Sequence, residues 1–130
     1  MSEDKFDITT NFAVISPDKK VTTEACDATL YERIERNYEG FKSHELVSCH
    51  EFEEDWASWE MHPHGDEIVM LLSGQATMIL ETDAGEKTIF VDKEDAYIVV
   101  PKGIWHTMRT TTKTKMLFIT PGEATEHREA

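Results

Sequence analysis

The chain has no Cys-x-x-Cys pair, little positive charge and no long apolar run, and each shortage excludes something. Its two cysteines, Cys26 and Cys49, stand far apart without metal-ligand spacing, so neither a disulfide framework nor a thiolate zinc site organises the fold. Both are expected as free thiols. Acidic residues outnumber basic ones 26 to 13, for a net charge of -13. Such a surface repels phosphate backbones and anionic lipid heads, which argues against nucleic acid and membrane as partners. No apolar run approaches bilayer-spanning length, and the charged start Met1-Ser2-Glu3-Asp4-Lys5-Phe6-Asp7 lacks the apolar core of a secretion signal. A cytoplasmic location is therefore expected. What remains, 130 residues, is enough for one hydrophobic core without covalent staples.

The patterning is that of short strands separated by turns. Met1 to Thr10 is polar, and a flexible tail is expected over residues 1–11. Phe12-Ala13-Val14-Ile15 is a short strand, followed by a turn at Ser16-Pro17-Asp18-Lys19-Lys20. One helix is expected next, opened by Asp27 or by a capping box at Thr29 and Glu32, with Leu30, Tyr31, Ile34 and Tyr38 at helical spacing and Gly40 as the stop. Its narrow apolar stripe suits packing on the outside of a barrel or against a partner. Phe41 to Phe52 and Trp56 to His62 are strands with mixed faces; His44 and His50 carry no assignment. The alternation sharpens after Gly74: Ala76 to Leu80, a hairpin turn at Thr82 to Glu86, then Thr88 to Val91. Ala96 to Val100, Thr107 to Arg109 and Met116 to Thr120 complete the strands, ahead of a polar tail at residues 121–130. Many short strands and one helix give an all-β fold, an antiparallel barrel or jelly roll, occupying residues 12–120.

One stretch carries chemistry. In Trp59-Glu60-Met61-His62-Pro63-His64-Gly65-Asp66-Glu67, residues two apart share a face of an extended chain, so Glu60, His62 and His64 can look one way. A turn at Pro63 to Asp66 would return Glu67 beside them. The apolar run Ile68 to Leu72, closed by Ser73-Gly74, is a buried strand ending in a tight turn. Imidazole and carboxylate are ligands for first-row transition metals. At this level His62, His64, Glu67 and His106 compete with Glu60, His62, Glu67 and His106 as a ligand set.

The sequence resembles the small single-domain cupins, the cupin 2 type. Their first motif has the form G-x5-H-x-H-x(3,4)-E-x6-G, and their second G-x5-P-x-G-x2-H-x3-N. His62 is followed after four residues by Glu67, and Glu67 after six by Gly74; Pro101-Lys102-Gly103-Ile104-Trp105-His106 fits P-x-G-x2-H. In this register Glu60 replaces the first histidine, Glu54 and Asp95 replace the opening glycines, and Thr110 replaces the final Asn. The resemblance implies a double-stranded β-helix, the cupin jelly-roll barrel, with one short N-terminal helix. It also implies a metal held by Glu60, His62, Glu67 and His106, because the gap from a His62/His64 pair to Glu67 is shorter than the family turn.

Such a site leaves coordination positions for water or a substrate, which suits a divalent Fe, Mn, Ni or Zn ion. His64 would border the entrance, and Met108, Trp105 and Tyr97 are expected to help form the substrate wall. Arg109 and Lys102 are candidates to anchor a carboxylate only through their closeness to His106. A cupin fold alone names no reaction. The expected function is a metal-dependent enzyme acting on a small polar molecule, with a non-catalytic small-molecule sensor as the alternative. The resemblance also implies a homodimer.

Overall fold

A computed structural model describes residues 5–130 of the chain. The strands form two antiparallel sheets, and the fold is a jelly-roll β-barrel with one α-helix among the described residues. The six-stranded sheet has the order β2-β1-β3-β10-β5-β8, made from β1 (Asn11–Ile15), β2 (Val21–Ala25), β3 (Glu45–Phe52), β5 (Glu67–Ser73), β8 (Tyr97–Val100) and β10 (Thr114–Thr120). The five-stranded sheet has the order β11-β4-β9-β6-β7, from β4 (Ser58–Met61), β6 (Ala76–Thr82), β7 (Gly85–Val91), β9 (Trp105–Arg109) and β11 (Glu126–Glu129).

Two apolar clusters hold these layers. Between the sheets lie Val69, Leu71, Met78, Leu80, Val100, Met108, Met116 and Phe118, contributed by alternate positions of their strands as a half-buried sheet requires. The second cluster joins Phe12, Val14 and Leu46 of the six-stranded sheet to Leu30, Ile34 and Phe41. It seats the helix α1 (Leu30–Asn37), so α1 packs on the barrel, as its narrow stripe suggests. Gly74 turns β5 into β6 at φ +87°, and a Cβ there would stand 2.5 Å from the Lys113 carbonyl oxygen. Only glycine fits a backbone that close.

Four expectations need correction. The capping box at Thr29 and Glu32 does not form: the Thr29 hydroxyl donates to Asp27 Oδ1 and accepts from Arg33. Asp27 instead receives the Thr29 amide in a turn just ahead of the helix. Phe41 to Ser43 is not strand, because the backbone passes through a 3-10 turn at Glu39–Phe41 before β3 begins at Glu45. The expected tail at residues 121–130 contains β11, which pairs antiparallel with β4 through all four of its residues. Of the expected tail at residues 1–11, Met1 to Asp4 lie outside the described residues. Asp7 to Thr10 form a turn, and Asn11 already belongs to β1.

Candidate metal centre

The turn after β4 is where the chain crosses from one sheet to the other. β4 and β5 are not hairpin partners, since they lie in different sheets. Residues 62–66 bridge them, so Glu60 and His62 approach from one wall and Glu67 from the other. In the five-stranded sheet Glu60 is the direct cross-strand partner of His106 on one side and of His127 on the other. Directly opposed residues put their side chains on the same face, so His127, Glu60 and His106 form one row.

The second motif is fastened to the first by its backbone. Gly103 N–H donates to the His62 carbonyl at 3.0 Å, and Lys102 N–H donates to Asp66 Oδ1 at 2.8 Å. Pro101 and Gly103 therefore shape a turn that rests on the His62 to Asp66 segment and delivers His106 at the start of β9.

Three buried polar atoms converge here without a hydrogen-bond partner: His62 Nε2, Glu67 Oε1 and His106 Nε2. Glu67 Oε1 lies 3.1 Å from His106 Nε2 and 3.4 Å from His62 Nε2. Those distances make hydrogen bonds only if the nitrogens carry protons, and the outer contacts decide that they do not in the neutral rings. His106 Nδ1 faces the Ile104 carbonyl at 3.2 Å, which can only accept. The Thr125 hydroxyl gives its proton to the Gly122 carbonyl and so must accept from His62 Nδ1 at 2.8 Å. Both neutral imidazoles thus hold the proton on Nδ1 and turn a bare Nε2 lone pair toward Glu67. Thr120 donates to the other Glu67 oxygen, Oε2, at 2.6 Å. Three lone pairs facing one another in a buried site require something positive among them.

The electrostatics say the same. Burial acts to raise the Glu67 carboxyl, but the imidazoles of His106 and His62 outweigh it and hold the group at about 2. Burial acts to lower His106, and Glu67 outweighs it in the upward direction. In the metal-free protein the neighbouring Glu67 carboxylate favours a proton on His106. A donor set suited to a divalent ion overlaps these three: the ligand atoms of Glu60, His62 and His106 lie within 4.8 Å of one another, and Glu67 Oε1 adjoins both imidazoles. Outer hydrogen bonds that fix ring tautomers are what metal-bound histidines ordinarily have.

His64 stands apart. It is 51% exposed, 3.8 Å from Glu123 Oε2, in a separate groove with Ser43, Asp66 and Pro121. Trp105, Met108 and Tyr97 occupy three different environments. Trp105 precedes inward-facing His106 and by strand alternation points outward, where Arg128 stacks over its ring and that of Trp59. Met108 does share the His106 face, but it is fully buried in the core between the sheets. Tyr97 is 57% exposed on edge strand β8.

A cavity of about 870 Å³ opens between the two apolar clusters and reaches Glu60, His62 and Glu67. Its other sides come from Tyr31 of α1, Ser48, His50 and Phe52 of β3, Trp56, Phe118 and His127. Leu46, Ser48, His50 and Phe52, two residues apart in β3, share the face that lines it. His127 Nε2 sits 3.4 Å from Glu60 Oε2, a contact hidden by the wholly polar composition of β11.

Comparisons with known proteins agree with this architecture. A family model described as a cupin domain matches residues 51–121. A cupin-2 domain containing protein from Shewanella frigidimarina is similar in structure, with 19% identity over 59% of this chain and 70% of its own, at a TM-score of 0.51. Two oxalate oxidase structures are similar at 15% identity. One, in complex with glycolate, has a TM-score of 0.54 over 63% of this chain and 45% of its own; the other has 0.53 over 62% and 44%. This chain thus spans less than half of the oxalate oxidase chains, and at such identities the likeness is one of fold. Among curated proteins no sequence matches significantly. Among the described residues, no helix is long and apolar enough to cross a membrane.

Proposed function

The chain belongs to the cupin domain family, and from that premise we propose that it binds a divalent transition metal through Glu60, His62, Glu67 and His106 and uses it on a small molecule held in the adjoining cavity. The observation that supports this most directly is the convergence of three buried, unpartnered lone pairs from His62, Glu67 and His106. The metal, of the Fe, Mn, Ni or Zn class, would supply a Lewis-acidic centre with positions open to substrate. The chain's own residues do the rest. Ile104 and Thr125 hold the rings by Nδ1, Thr120 holds Glu67, and His127 faces the outer oxygen of Glu60, which is part-exposed to the cavity. Phe52, Trp56 and Phe118 limit water around the centre. The same geometry would serve an enzyme or a sensor.

Metal analysis of protein purified without added metal, followed by calorimetric titration of the chelated protein with Zn, Mn, Ni and Fe(II), tests the reading. Expected is one ion per chain. Failure of every ion to bind would overturn it. Turnover of a bound small molecule by the metal-loaded protein then separates enzyme from sensor.

The chain is further inferred to act as a homodimer, supported by apolar side chains left exposed at both edges of the six-stranded sheet: Val21 on β2, Tyr97 and Val99 on β8. Symmetric pairs are the commonest homo-oligomers. Sedimentation at micromolar concentration should show the dimer; a monomer alone would refute it.

A further inference from the structure

Among the described residues, no fixed cation lines the cavity beside the proposed metal centre. Among its described lining residues there is neither Lys nor Arg, while Glu35, Glu51, Glu60 and Glu67 all contribute. Glu51 faces Lys113 at 3.7 Å, but both are exposed, and such pairs are screened by solvent. Glu35 has no ion-pair partner among the described residues. Of the lining histidines, His62 is one of the proposed ligands, His127 is turned to Glu60, and His50 meets the Tyr31 hydroxyl, with its pKa lowered by desolvation.

The centre itself adds no compensating charge. A divalent ion with one carboxylate and three imidazoles carries one positive unit; with Glu60 in place of the first histidine, two carboxylates bring that unit to zero. A carboxylate or phosphonate arriving at this site meets neither a guanidinium nor a net positive ion. It meets Glu35 and Glu51 instead, exposed carboxylates whose repulsion acts at low salt and is screened as salt rises.

The walls are aromatic. Trp56 lies 6.1 Å from the His106 ring and contacts Phe52 at 5.9 Å and Phe118 at 6.1 Å, centroid to centroid. Phe118 continues to His50 at 5.8 Å, and the Tyr31 hydroxyl reaches His50 Nε2 at 3.3 Å. A π-lined wall beside carboxylates favours a cation with an apolar body, through ring faces as well as charge. The unpartnered, buried Nε2 of His62 and Oε1 of Glu67 mark the end at which a ligand meets the centre.

We propose that this cavity takes an amine, a protonated ammonium on an aromatic or alkyl body, and discriminates against the isosteric carboxylate. The zero charge of the centre rests on the metal-binding reading above; the acidic, aromatic lining does not.

The test is paired binding of 2-phenylethylamine and 3-phenylpropionate to the Zn-loaded protein, followed by tryptophan fluorescence and calorimetry at low salt. The amine should bind at least about tenfold more tightly, and high salt should reduce the difference. In E35Q/E51Q, where both positions are exposed and circular dichroism reports the fold, the preference should fall to about threefold or less. Tighter or equal binding of the carboxylate, binding of neither probe, or a preference untouched by E35Q/E51Q would each overturn the proposal. The chelated protein is titrated in parallel, first with Zn alone and then with the two probes. A flat Zn titration would reject the metal reading independently of which probe wins, and an amine preference retained by the chelated protein would still support the amine assignment.

Discussion

Two histidine and carboxylate clusters lie a few residues apart in this chain and differ in almost every physical respect. His62, His106 and Glu67 are buried, approach to 3.1 and 3.4 Å, and have each outer atom tied by a hydrogen bond. His64 and Glu123 are a surface pair at 3.8 Å, with His64 half exposed. Residue type is the same in both. What separates a ligand site from a surface ion pair is that burial makes an unmet lone pair costly, whereas at the surface water meets it at no cost.

The largest effect that tests this contrast is removal of a buried ligand. His106→Ala should abolish stoichiometric metal binding, read by metal analysis after dialysis. It should also destabilise the metal-free protein by about 3–5 kcal/mol, as expected when a buried pair loses one partner and leaves the other uncompensated. Denaturant unfolding of chelated protein measures this. A variant that still holds one ion per chain would remove His106 from the ligand set.

The pH dependence sharpens the contrast further. In the chelated protein His106 has a raised pKa, so its contribution is fully present below the unfolded value and is lost as pH rises through the folded one. Glu67 is depressed to about 2, so its contribution is present above the usual carboxylate range and is lost only as pH falls toward 2. Chelated protein should therefore lose melting temperature as pH rises above the normal histidine range. Metal competes with that proton and binds deprotonated rings, so the increment due to Zn should grow over the same interval. A Zn increment that shrinks as pH rises would contradict this arrangement of lone pairs.

A smaller effect is expected one bond further out. Thr125→Val keeps the shape of the side chain but removes the acceptor that fixes His62 Nδ1. Metal affinity should fall about 10–100-fold, with the fold retained, measured by calorimetric titration. Unchanged affinity would show that the tautomer of His62 is set by something else.

How much of this was legible in the sequence follows from where side-chain alternation carries information. The apolar run of β5, the Thr82–Gly85 hairpin and the Pro101–Gly103 turn have patterns that local chemistry dictates, and they appear within a residue or two of their expected places. Strands β2, Val-Thr-Thr-Glu-Ala, and β11, Glu-His-Arg-Glu, are sheet edges with little or nothing buried. They are held by backbone pairing, which no hydrophobic period announces. Missing β11 hid His127 as the neighbour of Glu60. Trp105 adjoins His106 in sequence, and in a strand that puts it on the opposite face. The cavity wall brings β3, α1 and Phe118 together from distant parts of the chain, and only the tertiary fold does that.

The smallest expected effect returns to the surface pair. His64→Ala should leave metal content at one ion per chain and change stability by no more than about 0.5 kcal/mol, because an exposed ion pair gains little over the water that replaces it. The prediction is strict because the alternative ligand set needs His64. For His64 to join Glu67, its ring would have to leave Glu123, in a turn that hydrogen bonds from Gly103 and Lys102 hold at His62 and Asp66. Glu60→Ala is the matched partner: it removes a carboxylate in direct register with His106 and should weaken binding. If His64→Ala empties the site while Glu60→Ala leaves it full, the ligand set changes to three imidazoles and one carboxylate. The centre then regains a positive unit and with it an attraction for anions. The same pair of variants therefore decides the first ligand and one of the two grounds for expecting an amine in the cavity.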